Sequence, residues 1–233
     1  MYNGKMKAIT FSYDDAVTQD IRLIEIFNKY NLKSTFNLNS GFLGSQNSLI
    51  REDVEIRHDK IKEEDIKYVY EGHEVAAHTV THPCVTRLTD WAVVNEVEQD
   101  RLRLSELAGY EVVGMAYPGG GGLLYDSRVS NIIKEKTGIK YARVTKSTHN
   151  FDLQENLYEF HPSVYHHNNW DKMYELAEKF INLKTDKPQI LYIWGHSYEF
   201  DIHNTWEKFE EFCKFISGKD DIFYGTNKEI LLK

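Results

Sequence analysis

Short apolar runs alternate with amphipathic ones along nearly the whole of this 233-residue chain, and that alternation limits the possible folds more than any other feature. Residues 7–13 (KAITFSY) are a β-type run that ends at two aspartates. Residues 18–30 then set Ile21, Ile24 and Phe27 at helical spacing, with Leu23 and Ile26 widening the stripe. Further strands are expected at 34–39, 73–78, 112–117, 140–144, 158–165 (the weakest), 189–194 and 221–224. Helices are expected at 62–70, ended by Gly72, at 90–108, 127–136, 170–183 and 205–216, and over a short terminal stretch. Asp90, preceded by Thr89, suits the N-cap of the longest of them, and residues 41–60 read as a polar excursion. Seven or eight β–α repeats place the chain in the α/β class with a parallel sheet, and the count predicts closure into a seven- or eight-stranded (β/α) barrel. With no repeat, low-complexity segment or linker to divide it, residues 1–233 are read as a single domain.

The apolar fraction of 41% suffices for a normal core without disulfides or structural metals. A formal charge of −8, with no run of Lys and Arg, argues against nucleic acid as a partner. Cys84 and Cys213 stand far apart in no metal-type spacing and read as buried or partly buried thiols. No apolar stretch approaches the roughly 18–20 residues that span a bilayer. Residues 1–7 lead straight into a strand with no signal-peptide apolar region. A cytoplasmic protein is expected, or a secreted one whose leader has been removed.

The residues with chemistry to offer fall in one kind of place. Asp14, Asp15, His78, Pro118, Arg143 and His196 sit at, or just beyond, the C-terminal ends of expected strands. In a β/α barrel those ends make a single rim, which gathers side chains from distant parts of the chain.

The sharpest local signal is His78-Thr79-Val80-Thr81-His82-Pro83. Were the strand to continue, positions 78 and 82 would lie about 13 Å apart, too far for one ion with bonds of about 2.0–2.1 Å to each nitrogen. Joint ligation requires the chain to leave the strand after His78 and curl back; Thr79 and Thr81 suit a turn, and Pro83 the first turn of a short helix. The pair alone is a weak signal. Asp14-Asp15 at another strand end strengthens it, because adjacent carboxylates on a half-buried rim repel unless one takes a cation or a proton. An N-cap role accounts for one of the two aspartates and not for both. Two histidines with one carboxylate leave coordination positions open; the set suits zinc with water, and also non-haem iron oxygenases, so ligand type does not decide the reaction.

Taken together these residues resemble carbohydrate esterase family 4, the polysaccharide (nodulation-type) deacetylases. The family's strand ending T-F-D-D-G is met by Thr10-Phe11-Ser12-Tyr13-Asp14-Asp15-Ala16, and its H-[S/T]-x-x-H by His78-Thr79-Val80-Thr81-His82. Its histidine after an apolar strand is met by Leu191-Tyr192-Ile193-Trp194-Gly195-His196. The resemblance implies a distorted barrel and one divalent metal ion, zinc with cobalt or nickel as alternatives, on Asp15, His78 and His82. It also implies Asp14 as general base and His196 as general acid. A backbone N–H near Pro118, at Gly119 beside Tyr117, would serve the tetrahedral oxyanion. The implied activity is metal-dependent removal of acetyl groups, N-acetyl above all, from a carbohydrate substrate, giving acetate and a free amino sugar.

Two motifs depart from the family pattern. The third, R-x-P-[Y/F], is Ala116-Tyr117-Pro118-Gly119, so the arginine that orients the base is Ala116 and the aromatic residue is Gly119. Glycines 119 to 122 open the site, let the loop move, or are simply a flexible connection. The fourth motif, an aspartate followed by tryptophan, has no convincing match. Arg143 either reaches Asp14 and replaces the missing arginine or pairs with a surface acid. His161, His166 and His167 line the substrate site or hold the acid histidine. Trp194, Tyr198 and Phe200 stack on sugars or belong to the core. Rival activities are hydrolysis of a small acylated amine or ureide with the same metal set, iron oxygenation, which the distance between Asp15 and His78 in sequence disfavours, and non-catalytic carbohydrate binding, which the intact Asp14 and His196 disfavour.

Overall fold

The first strand, β1 (Lys7–Asp14), is buried at every position, as a strand is when a parallel sheet is covered on both faces. The others follow as β2 (Ser34–Leu38), β3 (Ser48–Arg51), β4 (Val54–Arg57), β5 (Glu74–Ala77), β6 (Gly114–Ala116), β7 (Tyr141–Arg143), β8 (Val164–Tyr165), β9 (Gln189–Gly195) and β10 (Ile222–Tyr224). The computed structural model describes residues 1–119 and 123–232. In it, all strands except β3 and β4 join one parallel sheet, in the order β7-β6-β5-β2-β1-β9-β8.

β9 pairs with β1 from Lys7 to Tyr13, and the opposite edge of β1 is divided: β10 takes Lys7–Ile9 and β2 takes Phe11–Asp14. Across the sheet, Phe160 exchanges backbone hydrogen bonds with Ala142 and Val144, while Ser163 and His166 donate to the carbonyls of Tyr192 and Trp194. The segment 160–166 therefore links β7 to β9, and the sheet curls into a distorted (β/α) barrel.

The helices are α1 (Asp20–Lys29), α2 (Ile66–Val69), α3 (Asp90–Ala108), α4 (Ser127–Lys136), α5 (Trp170–Asn182), α6 (Glu199–Ile202), α7 (Trp206–Ile216) and α8 (Asn227–Leu231). α1 buries Leu23, Ile24, Ile26 and Phe27, whereas Ile21, expected on the same stripe, faces outward at 45% exposure. The N-cap of α3 is Thr89, whose hydroxyl accepts from the Ala92 N–H at 3.4 Å. Asp90 is instead the first helical residue and pairs with Arg128 at 2.6 Å.

Three segments differ from expectation. The polar excursion at 41–60 contains an antiparallel hairpin, β3–β4, with Glu52 and Asp53 in left-handed conformation at its tip. The stretch 158–165 holds only the short β8, after a 3-10 turn at Leu157–Glu159. Cys84 is exposed, beside Thr86, while Cys213 is buried on the inner face of α7. No helix among the described residues is long and apolar enough to cross a membrane.

Candidate active site

Five strand ends supply the groups that meet on the rim: Asp14 ends β1 with Asp15 just beyond, His78 follows β5, Tyr117 follows β6, Arg143 ends β7 and His196 follows β9. All are buried, Asp15 at 8%, except His196, whose side chain is 15% exposed. The backbone bends sharply at two of these ends. Asp15 and Ala16 have φ of 86° and 55°, and Thr79 and His82 have 68° and 54°. Left-handed conformations of side-chain-bearing residues are costly and collect at functional sites. Here they turn Asp15 away from the line of β1 and fold His82 back beside His78, so the imidazole centroids lie 4.9 Å apart. Asn39 Nδ2 holds the turn by donating to the carbonyls of His78 and Thr79. Pro83 precedes the 3-10 turn at Val85–Arg87 and is not part of it.

Asp15 Oδ1 lies 3.9 Å from His78 Nε2 and 3.8 Å from His82 Nε2, and the three ligand atoms fall within 4.8 Å of one another. Ligands about 2.1 Å from a shared tetrahedral ion stand about 3.4 Å apart, so the set is close to ligating distance. The tautomer agrees. His78 Nδ1 lies 2.8 Å from the Ala116 carbonyl, which fixes the proton on Nδ1 and leaves the Nε2 lone pair facing Asp15. Burial holds the His78 imidazole down at about 4, in the neutral form that ligates. The other oxygen of Asp15, Oδ2, is 3.4 Å from His58 Nε2. Although burial opposes it, the His58 hydrogen bond, Lys60, His196 and His78 hold the Asp15 carboxyl well below its usual range. Donor chemistry and spacing thus fit a divalent cation.

Arg143 is wholly buried, and its Nη2 stands 2.6 Å from Asp14 Oδ1 and 2.5 Å from Oδ2. Nε donates to Ser12 Oγ, Nη1 to the Val144 carbonyl, and the guanidinium lies over the Trp194 ring at 4.5 Å. Asn37 Nδ2 adds a 2.8 Å bond to Asp14 Oδ1. Of the two partners open to Arg143 from sequence, the structure has Asp14.

His196 lies 3.2 Å through Nδ1 from Glu199 Oε1, a buried carboxylate one helical turn further along the chain. Glu199 Oε2 also accepts from the His196 N–H at 3.0 Å and faces His166 Nε2 at 2.9 Å, while its Oε1 accepts a short bond from the Tyr165 hydroxyl. Burial alone would push the His196 imidazole down, but Glu199, with Asp15 and Asp14, outweighs it and holds the group at about 9. Sequence reasoning missed Glu199. The signal was a Glu three residues after a strand-end histidine, the spacing that brings side chains together on a helical turn. Close approach here also needs Gly195, because a Cβ at that position would lie 1.7 Å from the His166 ring.

Other expected residues separate clearly. Tyr117 has both donors engaged, its N–H with the Arg143 carbonyl and its hydroxyl with the Tyr158 carbonyl, although the ring lines the cavity. Gly119 also lines the cavity, with φ of 111°, and Gly120 to Gly122 lie outside the described residues. Trp194 and Tyr198 line the cavity, whereas Phe200 packs in the core. His166 reaches His196 only through Glu199; His167 pairs with Glu52; His161 meets the Lys146 carbonyl through Nδ1 and is not among the residues lining the cavity. The cavity that contains Asp14, Asp15, His78, His82 and His196 measures about 380 Å³. A second, of about 360 Å³, adjoins it through Asp15 and His82.

Known proteins agree with this arrangement at the level of the fold. A family 4 acetyl xylan esterase from Clostridium thermocellum, solved with a cobalt ion, superposes with a TM-score of 0.59 at 14% identity, covering 97% of this chain and 90% of that one. The Xyl-CE4 domain of a multidomain xylanase from the hindgut metagenome of Trinervitermes trinervoides gives 0.58 at 13%, over 98% and 91%. A family 4 carbohydrate esterase from Streptomyces lividans, in complex with acetate, gives 0.58 at 13%, over 95% and 93%. No curated protein sequence matches the chain. The sequence profile of the polysaccharide deacetylases matches residues 2–142, more than half of the chain, taking in Asp14, Asp15, His78 and His82 and stopping one residue before Arg143. The chain therefore belongs to the polysaccharide deacetylase family and is a hydrolase of the carbohydrate-deacetylating kind.

Proposed function

We propose that residues 1–233 form one catalytic domain that removes acetyl groups, carried as N-acetyl, from a carbohydrate, with one divalent metal ion, zinc ahead of cobalt or nickel, on Asp15, His78 and His82. The observation that carries this reading is the carboxylate pair of β1: Asp15 faces two imidazoles, and its neighbour Asp14 is clamped by a buried arginine. When bound, the ion would polarise the acyl oxygen and acidify water.

The remaining work falls to side chains. Asp14, held by Arg143 and Asn37, takes the proton of the attacking water. The Gly119 N–H supports the carbonyl oxygen as it gains charge. His196, steadied by Glu199, gives a proton to the departing nitrogen as the C–N bond breaks, so acetate and an amine leave. Acetate release from N- and O-acetylated sugars, with zinc, cobalt or nickel added, tests the reaction. Asp14→Asn should retain metal and lose turnover; full activity in that variant would overturn the mechanism. Undiminished metal content in both His78→Ala and His82→Ala would remove the proposed ion site.

A second reading, hydrolysis of a small acylated amine or ureide, is favoured by the β3–β4 hairpin. Its tip is tied to His167 and His203 through Glu52, at 2.6 and 2.8 Å, and its Arg51 lines one side of a small-molecule-sized cavity. Higher kcat/KM on N-acylated monomers than on oligosaccharides would support it.

A further inference from the structure

Among the described residues that line the catalytic cavity, Arg51 is a guanidinium that no step above uses. It stands at the end of β3, and its side chain, 40% exposed, joins Tyr165 and Tyr198 in the cavity wall. Nη1 donates to the Tyr198 hydroxyl at 3.1 Å and Nη2 to the Tyr165 hydroxyl at 3.3 Å. These two phenol rings lie 5.0 and 6.4 Å from the His196 ring, centre to centre. The guanidinium is therefore close to the group assigned as proton donor.

Its charge is only partly met by the protein. The nearest carboxylate oxygen, Glu199 Oε1, is 3.5 Å away, and Glu199 is already shared among Tyr165, His166 and His196. Two neutral hydroxyls orient the fork without neutralising it. The position is also preorganised, because the next residue, Glu52, is anchored by His167 Nε2 at 2.6 Å, His203 Nε2 at 2.8 Å and Asn168 Nδ2 at 3.1 Å. A planar, partly solvated guanidinium held in place at the mouth of a cavity is suited to a carboxylate or phosphate, which it can meet with paired hydrogen bonds.

We propose that Arg51 is a specificity residue that receives an oxyanion on the substrate, so that the preferred substrate is an acidic acylated sugar bearing a carboxylate or a phosphate. This inference rests on the carbohydrate reading above. Its test is calorimetric binding of glucosamine, glucosamine 6-phosphate and muramic acid, none of which carries an acyl group to be turned over. At least one acidic sugar should bind at least about tenfold more tightly than glucosamine, as a charge-assisted pair requires. R51M should bring the sugars within about twofold of each other, and R51K should fall between, keeping the charge without the fork. The acidic sugar that gains identifies carboxylate or phosphate as the recognised group. Equal affinities in the wild type, or a preference that survives R51M, would overturn the proposal. Acyl release from the corresponding N-acetyl sugars is measured alongside. Acid preference without release would count against the deacetylase reading alone, and release without acid preference against the Arg51 subsite alone.

Discussion

Arg143 reaches from the end of β7 to Asp14 at the end of β1, its Nη2 within 2.6 Å of one carboxylate oxygen and 2.5 Å of the other. Ala116, which occupies the third-motif arginine position, is the register partner of Arg143 on the neighbouring strand. The guanidinium that meets Asp14 thus comes from the strand next to the one that carries Ala116.

That relationship makes a transfer experiment possible. Arg143→Ala should lower kcat about 100-fold, with KM little changed, and should cost about 3–5 kcal/mol by leaving the buried Asp14 charge unpaired. Returning an arginine to the adjacent strand, as A116R with R143A, should recover part of both losses. Steady-state kinetics and denaturant unfolding on the three proteins decide the matter. A single variant with wild-type kcat would show that the pair is structural only.

Glu199→Gln tests the other side of the site. The variant keeps the shape but removes the negative charge that holds His196 up at about 9. An acid must carry its proton to act, so lowering the His196 value moves the basic limb of the pH–rate profile to lower pH. Activity at pH 8.5 should therefore fall by more than activity at pH 6.5, by roughly tenfold or more in kcat. A basic limb in the wild-type position would separate Glu199 from the chemistry.

Which of these features the sequence revealed follows from how each is encoded. β9 is a continuous apolar run, β1 a β-type one, and α3 follows a visible cap residue, Thr89; these elements, and α4, came out close to their observed limits. That Asp15, His78 and His82 come together was legible because short local motifs carry them and strand ends in a barrel converge. The β3–β4 hairpin was not. Ile50 is 77% exposed, only Ile56 is fully buried, and the left-handed turn uses Glu52-Asp53 where Asn-Gly would have been the usual sign. Arg51 was hidden with it. Arg143 had a visible candidate partner, but its commitment to Asp14 depends on barrel curvature across more than a hundred residues of chain. Glu199 was overlooked because its carboxylate follows His196, whereas the family's fourth motif directed attention to the region around residue 143.

His73 links the fold to pH. Its Nδ1 accepts from the Ser34 N–H at 3.2 Å and its Nε2 faces Asn28 Oδ1 at 3.1 Å, which fixes a neutral ring. Burial, with Lys33 nearby, lowers it to about 4. An unfolded histidine titrates near 6.5, so between those values the unfolded state binds the extra proton. The stabilising contribution is full above about pH 6.5 and is lost as pH falls towards 4, to the extent of about 3 kcal/mol. Urea midpoints across that range should fall less steeply in His73→Asn than in the wild type. Parallel curves would exclude His73 as the source.

His58 touches the carboxylate of Asp15, the proposed ligand, from outside the proposed ligand set. Asp15 turns Oδ1 towards His78 and His82 and Oδ2 towards His58, with Nε2 at 3.4 Å. Lys60 Nζ stands 3.5 Å from the same Nε2 and donates to the Asp15 carbonyl at 2.6 Å, so residues 58–60 brace both the side chain and the strained backbone of Asp15. Partners of this kind orient a ligand without bonding the ion, and their removal typically weakens metal affinity about 10- to 100-fold. His58→Ala should show that loss in zinc Kd, measured against a competing chelator, while Tm without metal changes little. His58→Gln, which can still donate to Oδ2, should recover part of it. An unchanged Kd in His58→Ala would mean that Asp15 is set by its own backbone turn alone.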